Sequence, residues 1–166
     1  MRVFIFVLAV LMLTGPPFRA PSEDQNAEPI IVLERESDVF QVSPEYRLSI
    51  FEDGTVLFQG KKHVKSQEPI RTRIDKEQLT KLLAEFERIK YYSLRQRYYQ
   101  SEDGCTLRGT DQPFATTTLN TNGKKKSIVH YYGCWEEGAP HVVLPQELFK
   151  LEAKIDEVVQ TKQWLE

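Results

Sequence analysis

The sequence lacks the short motifs that identify several common enzyme classes. It has no Gly-X-Ser-X-Gly turn for a serine nucleophile, no glycine-rich loop for phosphate and no His-Glu-X-X-His helix for zinc. A catalytic hypothesis therefore depends on single side chains scattered along the chain, and we expect no cofactor.

An excess of basic residues is also missing. The 166 residues include 22 Lys or Arg against 24 Asp or Glu. A general nucleic-acid-binding protein would normally carry more basic than acidic residues. The charge balance therefore argues against a nucleic-acid partner.

The sequence has no apolar run of membrane-spanning length. The run Val3–Leu13 has about 11 residues, whereas a spanning helix needs roughly 20. Arg2 precedes this run and Pro16-Pro17 follows it, an order that is typical of a secretory signal peptide. We predict that the signal peptide is cleaved after Ala20 or after Ser22.

The exported protein is expected to form a single domain. No cysteine lies near the cleavage junction, which argues against a lipid anchor. Residues 1–22 form the predicted signal peptide, residues 23–29 a flexible lead-in and residues 30–166 one α+β domain. The predicted location is periplasmic or secreted, with no membrane span in the mature form.

Period-two patterns and turn residues predict two β-hairpins. Apolar and polar residues alternate over residues 46–50, and Asp53-Gly54 then turns the chain back. The pattern recurs where Asn122-Gly123 separates the strand-like residues 115–121 and 126–132. Further short strands are expected at residues 30–33 and 70–74.

Each hairpin is followed by a predicted amphipathic helix. Asp75 and Gln78 have the spacing of a capping box, and Pro145 suits the first position of a second helix. The predicted fold is α+β: one antiparallel sheet of two hairpin–helix units, with both helices packed on one face. The apolar positions with helical spacing are Leu79, Leu82, Leu83, Phe86 and Ile89 in the first helix and Leu148, Leu151, Ile155 and Val158 in the second.

A cluster of aromatic and basic residues follows the first helix. Arg95 and Arg97 stand beside Tyr98 and Tyr99, a composition that suits a binding surface because tyrosine rings stack and arginines hold anions. The favoured alternative is that one tyrosine of each pair enters the core while the basic residues are solvated at the end of the helix. The candidate surface is extended by Asp111, His130 and Trp135, and Lys124-Lys125-Lys126 is expected to be a solvated hairpin tip.

Only two cysteines are present, Cys105 and Cys134. In an oxidising compartment, two cysteines in one small domain most often form a disulfide. A metal site is the first alternative, because His130 lies four residues before Cys134 and His63 and His141 could join them; the spacing of zinc ligands is otherwise poor, so no metal is expected. A cysteine nucleophile beside His130 and Asp111 is the second alternative.

Several segments, taken in order, are similar to a known family. It is the uncharacterised family of exported bacterial proteins called domain of unknown function 6438, and the resemblance covers nearly the whole mature chain. The resemblance implies that Cys105 and Cys134 correspond to the cysteine pair found in a subset of that family. It implies no activity, because none is established for the family. The segments that carry it are Ile31–Arg35, Pro44–Ile50, Asp53–Val56, Phe86–Ile89, Thr110–Pro113, Tyr132–Cys134 and Leu151–Glu157.

The chain departs from that family at one place. Many members have two cysteines around a Phe-Gly pair before the first hairpin, where this sequence has Val39 and Ser43. Any role of those cysteines is therefore not transferred to this protein.

These observations favour a non-catalytic accessory or binding module of the cell envelope, with an envelope protein or a glycan as partner. The alternative is an envelope hydrolase that uses loop carboxylates near Asp111. A cleft that gathers Asp111 with other acids would favour the hydrolase. An exposed aromatic and basic patch without such a cleft would favour the module.

Overall fold

The computed structural model describes residues 27–37 and 42–165. The predicted signal peptide, its cleavage site and Val39 lie outside the described residues, as does most of the predicted lead-in. Neither helix of the described residues has the length and hydrophobicity needed to cross a membrane.

The described residues form ten strands and two helices, which confirms the α+β class. The strands are β1 (Ile31–Glu36), β2 (Glu45–Ile50), β3 (Thr55–Lys62), β4 (Ile70–Arg73), β5 (Arg97–Tyr98), β6 (Leu107–Arg108), β7 (Phe114–Thr121), β8 (Lys124–Tyr131), β9 (Cys134–Glu136) and β10 (Ala139–Val143). The helices are α1 (Lys76–Arg88) and α2 (Gln146–Val159).

Seven of the described strands form one sheet with the order β4-β3-β2-β1-β7-β8-β5. The two predicted hairpins, β2–β3 and β7–β8, lie on either side of β1, which pairs antiparallel with both β2 and β7. Ile31 and Leu33 of this central strand have no exposed surface. β5 pairs parallel with β8 at the sheet edge.

A second, three-stranded sheet has the order β10-β9-β6. Its strands were not expected from the sequence, because they are short and lack a clear period-two pattern. Two of them, β6 and β9, have only two and three residues.

Both helices contribute to one hydrophobic core with the large sheet. Most of the positions with helical spacing are buried: Leu79, Leu82 and Phe86 in α1 and Leu148, Leu151 and Ile155 in α2. Leu83 and Val158 are only half-buried. At full burial, each such side chain contributes about 1.5–3 kcal/mol to folding.

Local signals set the ends of these elements. The Asp75 side chain accepts from the Gln78 amide at 2.7 Å, and the Gln78 side chain accepts from the Asp75 amide at 2.9 Å, so the predicted capping box is present. Asn122 and Gly123 both have positive φ, as a tight hairpin turn requires. Pro145 differs from the prediction: it precedes the first helical residue and is the cap, because its ψ of 132° is extended.

Candidate functional site

Arg95 and Arg97 are exposed and Tyr98 is half-buried, and all three make bonds within their own loop. The Arg95 guanidinium donates to the Glu102 carbonyl at 2.6 Å, and the Arg95 amide donates to the Tyr98 hydroxyl at 3.1 Å. The Arg97 guanidinium lies 2.9 Å from a carboxylate oxygen of Asp103. These contacts close the loop formed by residues 95–103. The two arginines therefore stabilise the conformation of their own loop.

Electrostatics supports the same conclusion at Asp103. Burial by itself would raise the pKa of the Asp103 carboxyl, but the hydrogen bonds from Arg97 and the Gln100 amide, together with the positive charges of Arg97 and Arg95, outweigh it and lower the pKa. Asp103 is therefore held as the anion that closes the loop.

Tyr99 belongs to an aromatic cluster next to the small sheet. Its ring centroid lies 5.3 Å from that of Tyr131, and the ring of Phe114 lies 4.7 Å from Tyr131. The guanidinium carbon of Arg108 lies 4.3 Å from the Tyr99 centroid, a cation–π distance. The cluster joins the loop after α1 to the large sheet.

Trp135 packs against backbone. A Cβ at Gly109 would lie 2.6 Å from Cζ2 and 2.8 Å from Cζ3 of the Trp135 ring, so only glycine fits under the indole. The indole nitrogen donates to the Tyr132 carbonyl at 2.9 Å. Trp135 thus holds β9 to the loop that precedes β7.

Asp111 is exposed and has a positive φ of 57°. Its carboxylate makes no hydrogen bond or ion pair with any residue in the described part of the chain.

His130 is completely buried and faces two acceptors. Its Nδ1 lies 2.9 Å from Oε2 of Glu152, and its Nε2 lies 3.0 Å from the Leu144 carbonyl. Because a carbonyl can only accept, Nε2 must carry a hydrogen. His130 is thus held between α2 and the segment that leads into it, and it is not part of an exposed surface.

Glu152 is the centre of this buried network. It accepts hydrogen bonds from the Tyr132 hydroxyl at 2.8 Å and from the Thr117 hydroxyl at 3.1 Å, and it has no exposed surface. The sequence analysis did not predict this role. The available signal was the spacing from Leu148, since four residues along a helix place Glu152 on the same buried face.

A second half of the network surrounds Asp156. The Arg35 guanidinium lies 2.6 Å from Oδ2 of Asp156, and the Tyr46 hydroxyl donates to Oδ1 at 2.6 Å. Burial would lower the pKa of the Arg35 guanidinium, but its interactions with Asp156, Tyr46 and Glu152 together outweigh this and raise the pKa. Arg35 also donates to the Tyr132 hydroxyl, which links the two halves.

This network is saturated. Within the described residues, no buried side-chain nitrogen or oxygen is left without a hydrogen-bond partner. Its groups therefore satisfy one another, which is how polar side chains are tolerated in a core.

Cys105 and Cys134 lie at disulfide distance, with their Cα atoms 5.1 Å apart. Both residues are buried, at 2% and 0% exposure. The described side chains contain no group of three or more His, Cys, Asp or Glu arranged to hold a metal ion.

A groove lies between α1 and the tip of the β7–β8 hairpin. It has a volume of about 740 Å³. One wall is a stripe of α1 and the turn after it, with Thr80, Leu83, Glu87 and Lys90 at helical spacing. The opposite wall includes residues 119–122 and Lys124. We call it the α1–hairpin groove.

Tyr92 lies at one end of the α1–hairpin groove. Its hydroxyl donates to the Lys124 carbonyl at 2.9 Å and lies 3.0 Å from the Thr121 hydroxyl. The residue remains 38% exposed, so its ring is accessible from the groove. The structure thereby brings together the Lys90–Tyr92 and Lys124 segments, which are far apart in sequence.

Comparison with known proteins gives one family. The family model described as domain of unknown function 6438 matches residues 34–159, which is more than half of the chain. No curated protein matches the sequence.

Proposed function

We propose that this protein, which belongs to the domain of unknown function 6438 family, is a non-catalytic accessory or binding module of the cell envelope. The observation that carries the proposal is the α1–hairpin groove, an open concave site lined by both apolar and polar side chains. The basic, apolar and proline-rich order of residues 2–17 supports export.

The state of the ionisable side chains supports binding over catalysis. His130 is the residue best suited to act as a general base, yet both of its ring nitrogens are engaged and it has no exposed surface. A general base must reach the proton that it removes. The network around Glu152 is therefore best explained as a structural element that fixes α2 on the sheet.

Hydrogen bonds lower the pKa of several surface carboxyl groups and so favour the anionic form. A hydrogen bond from Ser37 lowers the pKa of Glu45, one from the Thr55 amide lowers that of Asp53, and one from Arg88 lowers that of Glu147. A general acid at neutral pH needs the opposite shift. These carboxylates are suited to ion pairs and hydrogen bonds.

A ligand screen with two matched variants tests the groove. We would add a library of small sugars, amino acids and carboxylic acids to the protein that begins at Glu23 and record amide chemical shifts by NMR. Thr80→Arg fills the groove from the α1 wall, whereas Ala84→Arg adds the same side chain to an exposed position of α1 outside it. We expect shifts at groove residues that Thr80→Arg abolishes and Ala84→Arg preserves.

The same samples provide the opposing outcomes. Ligand shifts that persist unchanged in Thr80→Arg would place binding outside the groove. Conversion of any compound into product would show that the protein is an enzyme and would contradict the proposal. Export is tested separately by N-terminal sequencing of the protein recovered from a bacterial envelope fraction; a chain that retains residues 1–13 would contradict it.

A further inference from the structure

Unpaired lysines are concentrated at the α1–hairpin groove. Eight of the twelve lysines of the chain have an ammonium group bonded to a carboxylate or a carbonyl. Within the described residues, the side chains of Lys76, Lys90, Lys124 and Lys162 have no such partner. Three of these four line the groove, and Lys162 does not. An ammonium group without an internal partner is available to an external anion.

The Tyr92 end of the groove has the greater positive charge. Lys90 and Lys124 border it, and Lys126 adds a third ammonium group, which donates to the carbonyls of Tyr92 and Leu94 and is not neutralised by a carboxylate. An acidic group placed beside the Tyr92 ring would therefore meet several cations.

Two carboxylates in the same groove exclude a dense polyanion as ligand. Glu52 and Glu87 both line it, and neither side chain is paired with a cation in the described residues. A polyphosphate or a nucleic-acid backbone would place negative charges against them. A ligand with widely spaced acidic groups and intervening hydroxyls avoids that repulsion, because carboxylates accept hydrogen bonds from hydroxyls.

The floor of the groove argues against a lipid or an amphipathic helix. Its apolar residues are largely covered by their neighbours: Leu79, Phe86, Tyr91 and Leu119 are at most 7% exposed. A helix or an acyl chain needs a broad exposed apolar surface. Small apolar patches beside an aromatic ring instead suit the C–H faces of sugar rings.

The backbone of the groove argues against an extended peptide. A peptide that adds a strand needs free backbone groups at a sheet edge. Here the Ile30 amide donates to the Ile50 carbonyl at 2.9 Å, and the Asn120 amide donates to the Ile30 carbonyl at 2.8 Å. The groups that the groove presents to a ligand are therefore side chains, such as those of Asn120 and Asn122.

We infer that the α1–hairpin groove binds an acidic oligosaccharide whose carboxylate lies between Lys90 and Lys124, with a sugar ring against Tyr92. This inference rests on the proposed binding function and specifies its ligand class. The two lysines would bind the carboxylate, and Glu87, Asn122 and Oδ1 of Asn120 would accept from or donate to the neighbouring hydroxyls as their chemistry allows. Nδ2 of Asn120 already donates to Glu28 at 3.0 Å.

A pair of probes that differ in charge tests the inference. A hyaluronan tetrasaccharide alternates glucuronate with N-acetylglucosamine, whereas chitotetraose has N-acetylglucosamine alone. We expect the hyaluronan tetrasaccharide to bind with amide shifts at Tyr92 and Asn120, more tightly than chitotetraose and less tightly as salt increases.

Lysine variants give the matched control. Replacing Lys90 and Lys124 together by Gln removes both cations from the groove and should weaken hyaluronan binding by at least about tenfold. Lys162→Gln removes an equally unpaired lysine outside the groove and should leave the affinity unchanged.

Four results would overturn the inference. They are equal binding of chitotetraose, tighter binding of a pentaglutamate peptide, equal losses in the Lys162→Gln variant, and absence of hyaluronan binding at millimolar concentration. If the small-molecule screen still shows ligands that Thr80→Arg abolishes, the binding function stands and only the acidic saccharide is wrong. If that screen also fails, both fall.

Discussion

At the residue scale, the molecule depends on a few side chains that are satisfied by one another. Glu152 lies between His130, Tyr132 and Thr117 without any contact with solvent. A buried carboxylate is tolerated only because each oxygen accepts hydrogen bonds. The removal of one member therefore leaves the others unsatisfied.

Replacing Glu152 by Ala should consequently be strongly destabilising. His130 Nδ1 and the Tyr132 hydroxyl would lose their partner, and breaking such a buried pair costs about 3–5 kcal/mol. Glu157→Ala, on the exposed side of the same helix, should cost less than about 0.5 kcal/mol. Denaturant unfolding of both variants checks this, and similar losses in the two would show that the network does not stabilise the fold.

Gly109 is required because of the indole that covers it. Gly109→Ala should cost about 1–3 kcal/mol, since its methyl group would collide with the Trp135 ring. In a Trp135→Ala background the collision is gone, and the added cost of Gly109→Ala should fall close to zero. A double-mutant cycle measured by denaturant unfolding checks this coupling; additive losses would contradict it.

At the element scale, the two helices begin in different ways. α1 starts directly after Asp75, whose carboxylate accepts from the Gln78 amide. In α2, Pro145 occupies the cap position without a side-chain hydrogen bond, so this helix depends more on its buried face. Capping thus contributes differently to the two helices.

The capping box of α1 predicts a specific loss. Asp75→Ala leaves the first-turn amide of Gln78 without its acceptor and should cost about 1 kcal/mol. Lys76→Ala changes the adjacent exposed residue, which has no partner in the described residues, and should be nearly neutral. Thermal and denaturant unfolding of the two variants would show the difference, and equal stabilities would show that the cap does not stabilise α1.

At the scale of the whole molecule, the cysteine pair connects the small sheet to the loop after α1. Cys105 lies in that loop and Cys134 begins β9, with a sequence separation of 29. A crosslink that closes a loop of this length stabilises a fold by roughly 3–4 kcal/mol in the chain-entropy model. The pair should therefore hold the second sheet in place.

The bond itself is checked by mass spectrometry. Protein purified and denatured without reductant should be lighter than its reduced form by two hydrogens, and neither cysteine should react with an alkylating reagent. The Cys105→Ala, Cys134→Ala double variant should lose about 2–4 kcal/mol of stability. Alkylation of both cysteines before reduction would show that the bond does not form.

The buried tyrosines should make the whole domain sensitive to alkali. Burial, followed by the negative charge of nearby acids, raises the pKa of the Tyr46 and Tyr91 hydroxyls above the ordinary value of 10.0. The unfolded chain therefore loses these protons first, so the stability is complete below about pH 10 and decreases as the pH rises above that value. Tyr46→Phe should reduce this decrease in denaturant unfolding between pH 9 and pH 11; an unchanged slope would contradict the prediction.

The candidate site shows which contacts local sequence patterns do not predict. The sequence indicated a solvated hairpin tip at Lys124 and a possible binding surface at Arg95, Arg97, Tyr98 and Tyr99, but it did not indicate a site that joins Lys124 to Lys90 and Tyr92. The contact of the Tyr92 hydroxyl with the Lys124 carbonyl joins residues 32 positions apart, and no local pattern contains that information. For the same reason the buried position of Glu152 beside His130 was missed.

Local chemistry by itself determined the class of fold, the two hairpin turns, the capping box and the buried faces of α1 and α2. These features depend on neighbours within about four residues, where spacing along the chain decides which groups meet. Only the tertiary structure decided which polar groups are satisfied and which remain free. Arg35 donates to Asp156, which is 121 positions away in the sequence. The unpaired lysines line one groove only because α1 packs beside the β7–β8 hairpin. Those contacts depend on how the elements pack, because the same side chains would be solvated in any segment taken alone.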